Sequence, residues 1–262
     1  MKKAVAAVSF GTSHTDARRA IECIESALAE RFPDRDFFRA FTSGMITRKI
    51  LREEKIAIPG AGELAEELAR HGYTDVLFQS LHIIAGNEYE KFTEQIAPYS
   101  ASFERVAIGK PMLYCTEDYA EVCRVMESHI PPQRDGESIV LMGHGSDHPM
   151  NAAYSQLENM FRAHSREQVY IGTAEGFPEL DYIEKRLRRR EVRHVHLAPL
   201  MIVAGEHAKN DLSGTGDDSW ASQLRAAGYG VTVDMGGMGE LAGIADLFVR
   251  HAEAAEREQL AQ

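Results

Sequence analysis

Cysteine is scarce in this chain of 262 residues, and the three present, Cys23, Cys115 and Cys123, fall into no CxxC or CxxH spacing. An odd, unpaired set excludes a disulfide framework and is the pattern of reduced thiols in a cytoplasmic protein. Long apolar runs are missing too, since none approaches the roughly 20 residues needed to span a bilayer. The opening Met1-Lys2-Lys3, followed by Ala4-Val5-Ala6-Ala7-Val8, has a superficial signal-peptide look. Its apolar run is short and enters the charged segment His14 to Arg19 without a cleavage-like site, so a first core strand is expected instead. Basic charge is in deficit: 29 Lys and Arg against 40 Asp and Glu leave a net charge of -11. That balance argues against nucleic acid and against an anionic membrane surface as partners, because both recognise basic surfaces.

What the chain does have is one structural unit written twice. Val76-Leu77-Phe78-Gln79-Ser80-Leu81-His82-Ile83-Ile84-Ala85-Gly86-Asn87-Glu88 aligns with Val195-His196-Leu197-Ala198-Pro199-Leu200-Met201-Ile202-Val203-Ala204-Gly205-Glu206-His207. In the same order, Val8-Ser9-Phe10-Gly11-Thr12 matches Met142-Gly143-His144-Gly145-Ser146, and Ala40-Phe41-Thr42-Ser43-Gly44 matches Gly172-Thr173-Ala174-Glu175-Gly176. Phe10 thus faces His144, Ser43 faces Glu175, and Glu88 faces His207. If the halves are related by a pseudo-two-fold, matching strand ends converge, and Glu88, His144, Glu175 and His207 surround one ion.

Short apolar stretches alternate with segments of helical period. Strands are expected at 3–9, 36–41, 75–82 and 104–109, then at 137–142, 168–173, 194–201 and 230–234. Ile21, Ile24 and Leu28 mark one helical stripe, and Leu157, Met160 and Phe161 mark its counterpart. This is the βαβ rhythm of parallel sheets. The fold class is therefore α/β, with two similar doubly wound parallel-sheet domains and the active site in the cleft between them, beyond the carboxyl ends of the strands. The length suits two domains, each with its own core. Pro131-Pro132-Gln133-Arg134-Asp135-Gly136 is the best punctuation and sets the expected boundary: 1–130 and 131–262, the latter ending in a closing helix with a frayed tail.

His144 sits between two glycines that let the backbone turn sharply off a strand and leave the imidazole at the tip. A loop histidine capping a backbone group is the alternative, and the inert Phe10 at the matching position favours function. A phosphate-binding turn is a further reading, but neither G-x-x-x-x-G-K-[ST] nor G-x-G-x-x-G occurs there. His207 lies where a strand passes into a helix. Glu88 and Glu175 also have a plainer reading as acids that complement a helix N-terminus. Two imidazoles with one or two carboxylates suit divalent first-row metals and bind them reversibly, whereas thiolates, absent from these strand ends, would hold zinc or a cluster tightly. The cations Arg48, Lys49, Arg52 and Lys91 lie near the proposed cleft segments, each also readable as part of a solvated helix face. The run Lys185-Arg186-Leu187-Arg188-Arg189-Arg190 reads as a helix end.

At these residues the chain resembles a known family. Ser9-Phe10-Gly11-Thr12-Ser13, Gly143-His144-Gly145-Ser146, Gln79 to Ile84 with Gly86-Asn87-Glu88-Tyr89-Glu90-Lys91, and Gly205-Glu206-His207-Ala208-Lys209-Asn210-Asp211 together look like the anaerobic cobalt chelatases of the cobalamin pathway. These are class II chelatases, similar in fold to ferrochelatases, and the resemblance covers almost the entire chain. It implies insertion of Co2+ into sirohydrochlorin or its oxidised form without ATP, with cobalt as substrate and no prosthetic group. It implies that His144 and His207 are the metal-binding and catalytic histidines, beside a glutamate for which Glu88 and Glu175 both match. His144, His207 and Glu175 are expected to hold the metal, with Glu88 and His144 the candidates for proton removal, and Phe10 and Leu81 are expected either to contact the macrocycle face or to pack as ordinary core. The implied partners are a tetrapyrrole and a divalent metal, with assembly into a homo-oligomer left open. A metal or haem carrier without catalysis, and a chelatase specific for iron or nickel, stand as alternatives.

Overall fold

A computed structural model describes residues 2–131 and 134–260. The chain runs β1 (Lys3–Ser9), α1 (Thr15–Arg31), β2 (Asp36–Phe41), α2 (Gly44–Glu54), α3 (Ala61–Arg70), β3 (Asp75–Ser80), α4 (Asn87–Ile96) and β4 (Arg105–Gly109). It continues through α5 (Thr116–Glu127), β5 (Glu137–Gly145), α6 (Ala152–Ala163), β6 (Val169–Glu175), α7 (Leu180–Arg189), β7 (His194–Pro199), α8 (Trp220–Ala226), β8 (Gly230–Val233) and α9 (Ala242–Leu260). Every expected strand is present. The largest departure is β5, which runs on to Gly145 and so carries His144 within the strand rather than on a loop.

The duplication is exact in topology. Strand order is β2-β1-β3-β4 in one sheet and β6-β5-β7-β8 in the other, and every pairing is parallel. Parallel strands covered on both faces are buried along their length, and β3 is buried at all six positions, with its polar residues Asp75, Gln79 and Ser80 each hydrogen-bonded. In the first sheet Ala4, Ala6, Val8, Val76 and Phe78 meet Leu64 and Leu68 of α3 and Phe92 and Ile96 of α4. In the second, Val140, Met142, Val195 and Leu197 meet Ile183 and Leu187 of α7 and Trp220 and Leu224 of α8. Each such large side chain contributes about 1.5–3 kcal/mol on burial. Of the expected stripes, Ile21, Ile24 and Leu28 on α1 and Leu157 and Phe161 on α6 are buried, while Met160 is half-buried.

The units divide differently from the expected cut at residue 130. The first runs to Tyr114 and then takes in the chain from Ala242 on, while the second spans Cys115–Leu241. Helix α5 therefore belongs to the second unit, where it packs on α6, and α9 belongs to the first, where it packs on α1, β3 and β4. Pro132 and Gln133 of the expected boundary segment, like Met1 and the last two residues of the chain, lie outside the described residues.

Buried charge explains why α9 goes where it does. Arg35, almost wholly buried, donates to Asp75 Oδ1 at 3.0 Å and to Glu256 Oε1 of α9 at 2.6 Å, and Arg105 pairs with the other oxygen of Asp75. Arg31 pairs with Glu253, and His251 bonds the Lys110 carbonyl at 3.2 Å. The guanidinium loses solvation on burial, and the two carboxylates more than restore its charged form. The basic run at the end of α7 is likewise spent on local pairs, Arg186 with Glu158, Arg188 with Glu184 and Arg190 with Glu167. Removing one member of a buried pair strands the other. Arg35→Met should therefore cost about 3 kcal/mol in urea unfolding, whereas Arg188→Met, exposed, should fall within about 0.5 kcal/mol of the parent.

Candidate metal centre

Two glycines set the carboxyl end of β5. A Cβ on Gly143 would come within 2.4 Å of the Tyr154 ring. Gly145, at φ +82°, is in register with Glu175 of β6, and a Cβ there would lie 1.7 Å from the Glu175 carbonyl oxygen. The two strand ends approach this closely only because position 145 has no side chain. That approach brings His144 beside Glu175. Asn151 ties the two following turns together: its Oδ1 accepts from the Ser146 amide at 3.0 Å, and its Nδ2 donates to the Phe177 carbonyl at 2.6 Å. Asn151 is itself only 9% exposed.

His207 arrives from β7 and opens a short π-helical turn, Ala208–Leu212, anchored by the buried Ala208 and Leu212. Its Nδ1 donates to Asp211 Oδ2 at 2.6 Å, four residues on. The Nδ1 of His144 lies 3.1 Å from the Gly145 carbonyl oxygen, which can only accept. Each ring is thereby anchored through Nδ1, with Nε2 turned the other way. Those two Nε2 atoms face each other at 3.0 Å, with the ring planes at 85°. Ligand atoms of His144, His207 and Glu175 all lie within 4.8 Å of one another, the two histidines half-buried and the glutamate exposed. Two imidazoles and a carboxylate on one side of an ion leave its other positions open, as exchangeable first-row metal sites require. A histidine whose second nitrogen is held by a carboxylate or carbonyl is the usual arrangement at such a centre.

All three residues of this group belong to the second unit, and Glu88 belongs to the first. The matching strand ends of the first unit are chemically different. Phe10 is 41% exposed, and Ser43 caps α2 by accepting from the Ile46 amide. Glu88 lies in the first turn of α4, with Oε1 3.7 Å from Lys91 and with Oε2 buried and lacking a hydrogen-bond partner among the described residues. Glu175 ends a strand, and α7 begins only at Leu180, so the helix-capping reading does not apply to it. Leu81, expected to touch a macrocycle, is 2% exposed and packs as core. Of the four cations, Lys91 donates to the Thr42 carbonyl, Arg52 pairs with Glu53, and Arg48 projects from the exposed face of α2.

Three residues of consequence escaped the sequence reading. Asp211 was signalled by its spacing of four from His207, which puts both on one helical face. Asn151 left no signal, because its two partners lie in different turns. His82 is buried, with Nδ1 2.9 Å from Ser80 Oγ and Nε2 3.5 Å from Thr42 Oγ1. Burial pulls its pKa down to about 4, against the smaller opposing pull of the Glu88 charge.

Duplicated α/β units of this topology, one of them bearing two histidines and a glutamate with their ligand atoms grouped together, are the arrangement expected of a metal chelatase. The sequence profile of the cobalt chelatase (CbiK) family matches residues 3–257, and the chain belongs to that family. It is 42% identical over 256 residues to the sirohydrochlorin cobaltochelatase of Salmonella typhimurium, with 97% of each chain covered. It is 31% identical to sirohydrochlorin cobaltochelatase CbiKC of Nitratidesulfovibrio vulgaris, over 97% of this chain and 90% of that one. Among solved structures, SirB from Bacillus subtilis with Fe3+ has the same fold, with a TM-score of 0.65 at 16% identity, covering 100% of this chain and 98% of that one. No helix among the described residues is long and apolar enough to cross a membrane.

Removing the Asp211 carboxylate frees the His207 ring to rotate and exchange tautomers. Asp211→Ala should weaken Co2+ binding by roughly 10–100-fold, read by isothermal titration, with the fold intact by circular dichroism. His82 sets a separate pH dependence. Unfolded, it titrates near 6.5, and folded near 4. The unfolded chain therefore binds the extra proton across that window. Its contribution is fully present above about pH 6.5 and is lost as pH falls toward 4, by up to about 3 kcal/mol. His82→Asn should flatten the fall in urea-unfolding free energy between pH 7 and pH 5.

Proposed function

We propose that the protein is a sirohydrochlorin cobaltochelatase that inserts Co2+ into sirohydrochlorin, or the oxidised precorrin-2 equivalent, in anaerobic cobalamin biosynthesis without ATP. The observation that carries this reading is the pair of Nε2 atoms facing each other at 3.0 Å with a carboxylate alongside. Chelation consumes M2+ and the macrocycle with its two pyrrole N–H groups, and it yields the metallated macrocycle and two protons. A site for this reaction must take the ion from water, hold it weakly and accept protons.

His144, His207 and Glu175 hold Co2+ as substrate. Asp211 and the Gly145 carbonyl keep both Nε2 lone pairs turned toward the ion. As pyrrole nitrogens replace the imidazoles in the coordination sphere, each released Nε2 recovers a lone pair and becomes a base, which makes His144 an acceptor for one pyrrole proton. Glu88, whose Oε2 has no hydrogen-bond partner among the described residues, is assigned the other. The exposed ring of Phe10 supplies an apolar surface for a macrocycle face. Imidazole and carboxylate donors discriminate poorly among Co2+, Ni2+ and Fe2+, so preference among them rests on supply and on geometry.

Purified protein incubated with sirohydrochlorin and Co2+ under anaerobic conditions should accelerate the absorbance change of metallation over a protein-free control. His144→Ala and His207→Ala should each lower the rate by on the order of 100-fold or more, within the range that general acid–base groups supply. Glu88→Gln should lower kcat while leaving Co2+ affinity unchanged. A protein that binds both metal and macrocycle at an unaccelerated rate would be a carrier.

A further inference from the structure

The second sheet holds another pair of histidines that the chelation chemistry does not use. His194 and His196 alternate along β7 and therefore point to the same face of the sheet. Strand register adds to that face Glu137 of β5, opposite His194, and Thr232 of β8, opposite His196. The imidazole rings lie 4.7 Å apart, centroid to centroid. Nε2 of His194 and Nδ1 of His196 both approach one atom, the Thr232 hydroxyl, at 3.2 Å and 2.7 Å. A hydroxyl has a single proton, so it can donate to only one of the two nitrogens, and the other must supply its own N–H.

The remaining nitrogen of His196, Nε2, is buried and lacks a hydrogen-bond partner among the described residues, with the Glu137 carboxylate 3.7 Å away. Space for the His194 ring is provided by Gly230 on the edge strand, where a Cβ would come within 2.5 Å of Nδ1. Thr232 is exposed and Glu137 about one-quarter exposed, so an ion can enter from solvent.

We infer that His194 and His196 form a second divalent-metal site on the outer strands of this sheet, with the ion at the point both rings now address through Thr232. His194 Nε2 and His196 Nδ1 are the protein's nitrogen ligands, the Thr232 hydroxyl or water completes the sphere, and the Glu137 carboxylate, 3.7 Å from His196 Nε2, is the acceptor that faces its N–H. That last contact is the carboxylate–histidine–metal relation that orients ligating imidazoles. Two neutral imidazoles without a thiolate select borderline divalent ions, with Cu2+ held most tightly, then Ni2+ and Zn2+, and Co2+ more weakly. The site lies toward the amino end of β7, whereas the chelation centre lies beyond the carboxyl ends. It would pin β8, the short four-residue edge strand, to its neighbours.

Cu2+ titration of the full chain, followed by electron paramagnetic resonance, tests this directly. The His144→Ala/His207→Ala protein should keep one equivalent of Cu2+ showing coupling to two imidazole nitrogens. Adding His194→Gln/His196→Gln to that background should abolish it. Cobalt insertion by the protein carrying only His194→Gln/His196→Gln should match the parent. Equal Cu2+ binding by the double and quadruple variants would overturn the assignment. Because the quadruple variant could fail to fold, Ni2+-soaked crystals of the unaltered protein provide a second arm. An anomalous peak about 2.1 Å from both nitrogens is expected, and an empty map at that point refutes the site.

Discussion

Two imidazole nitrogens 3.0 Å apart make a contact that one proton or one cation must bridge. The protein holds them there by occupying both opposite nitrogens, one with the Gly145 carbonyl and one with the Asp211 carboxylate. Neither ring can leave the contact by turning without giving up a hydrogen bond. The second unit thus holds two ligand nitrogens close together before any metal arrives. Everything at the carboxyl end of that sheet serves this juxtaposition: the missing side chains at Gly143 and Gly145, the Asn151 bridge between turns, and the buried anchors beneath His207.

The duplication places the grouped histidines and glutamate in one copy of the scaffold. Both sheets have the same strand order and the same parallel register, so strand ends are placed equivalently within each unit. What differs is the side chain at the tip: a phenyl ring against an imidazole at the end of the first strand, and a capping hydroxyl against a carboxylate after the second. A helix-start carboxylate stands against an imidazole after the third. Metal affinity therefore belongs to residue identity, and placement belongs to the fold.

That separation also decides what the sequence revealed. Period and alternation are local, so the strands, the helical stripes and the repeat register could be read directly, and with them His144, Glu175 and His207. The long-range items could not. Helix α9 joins the first unit through Arg35–Glu256 and Arg31–Glu253, pairs more than two hundred residues apart in the chain, and no local pattern distinguishes a closing helix that stays from one that returns. Leu81, readable either as a macrocycle contact or as ordinary core, is buried, and no local pattern names the neighbours that bury it. Asp211 is the instructive intermediate case, since its spacing from His207 was visible and only the helical turn gave that spacing a meaning.

A chelatase has to lose its metal to succeed, and this restricts the ligand set more than affinity does. Thiolates would hold the ion through the reaction, and among the free cysteines Cys123 is buried with its thiol pushed up to about 12, far from a ligating state. Imidazole is the better compromise because the group that releases the ion is at that moment a base. On the roles proposed above, delivery of Co2+ to the pyrrole nitrogens and removal of one pyrrole proton meet at His144 Nε2, while Glu88 takes the other proton. In that proposal the ring that releases the ion is the ring that accepts a proton, and it must give that proton up before the next ion binds, so metal uptake and proton release are linked at one atom.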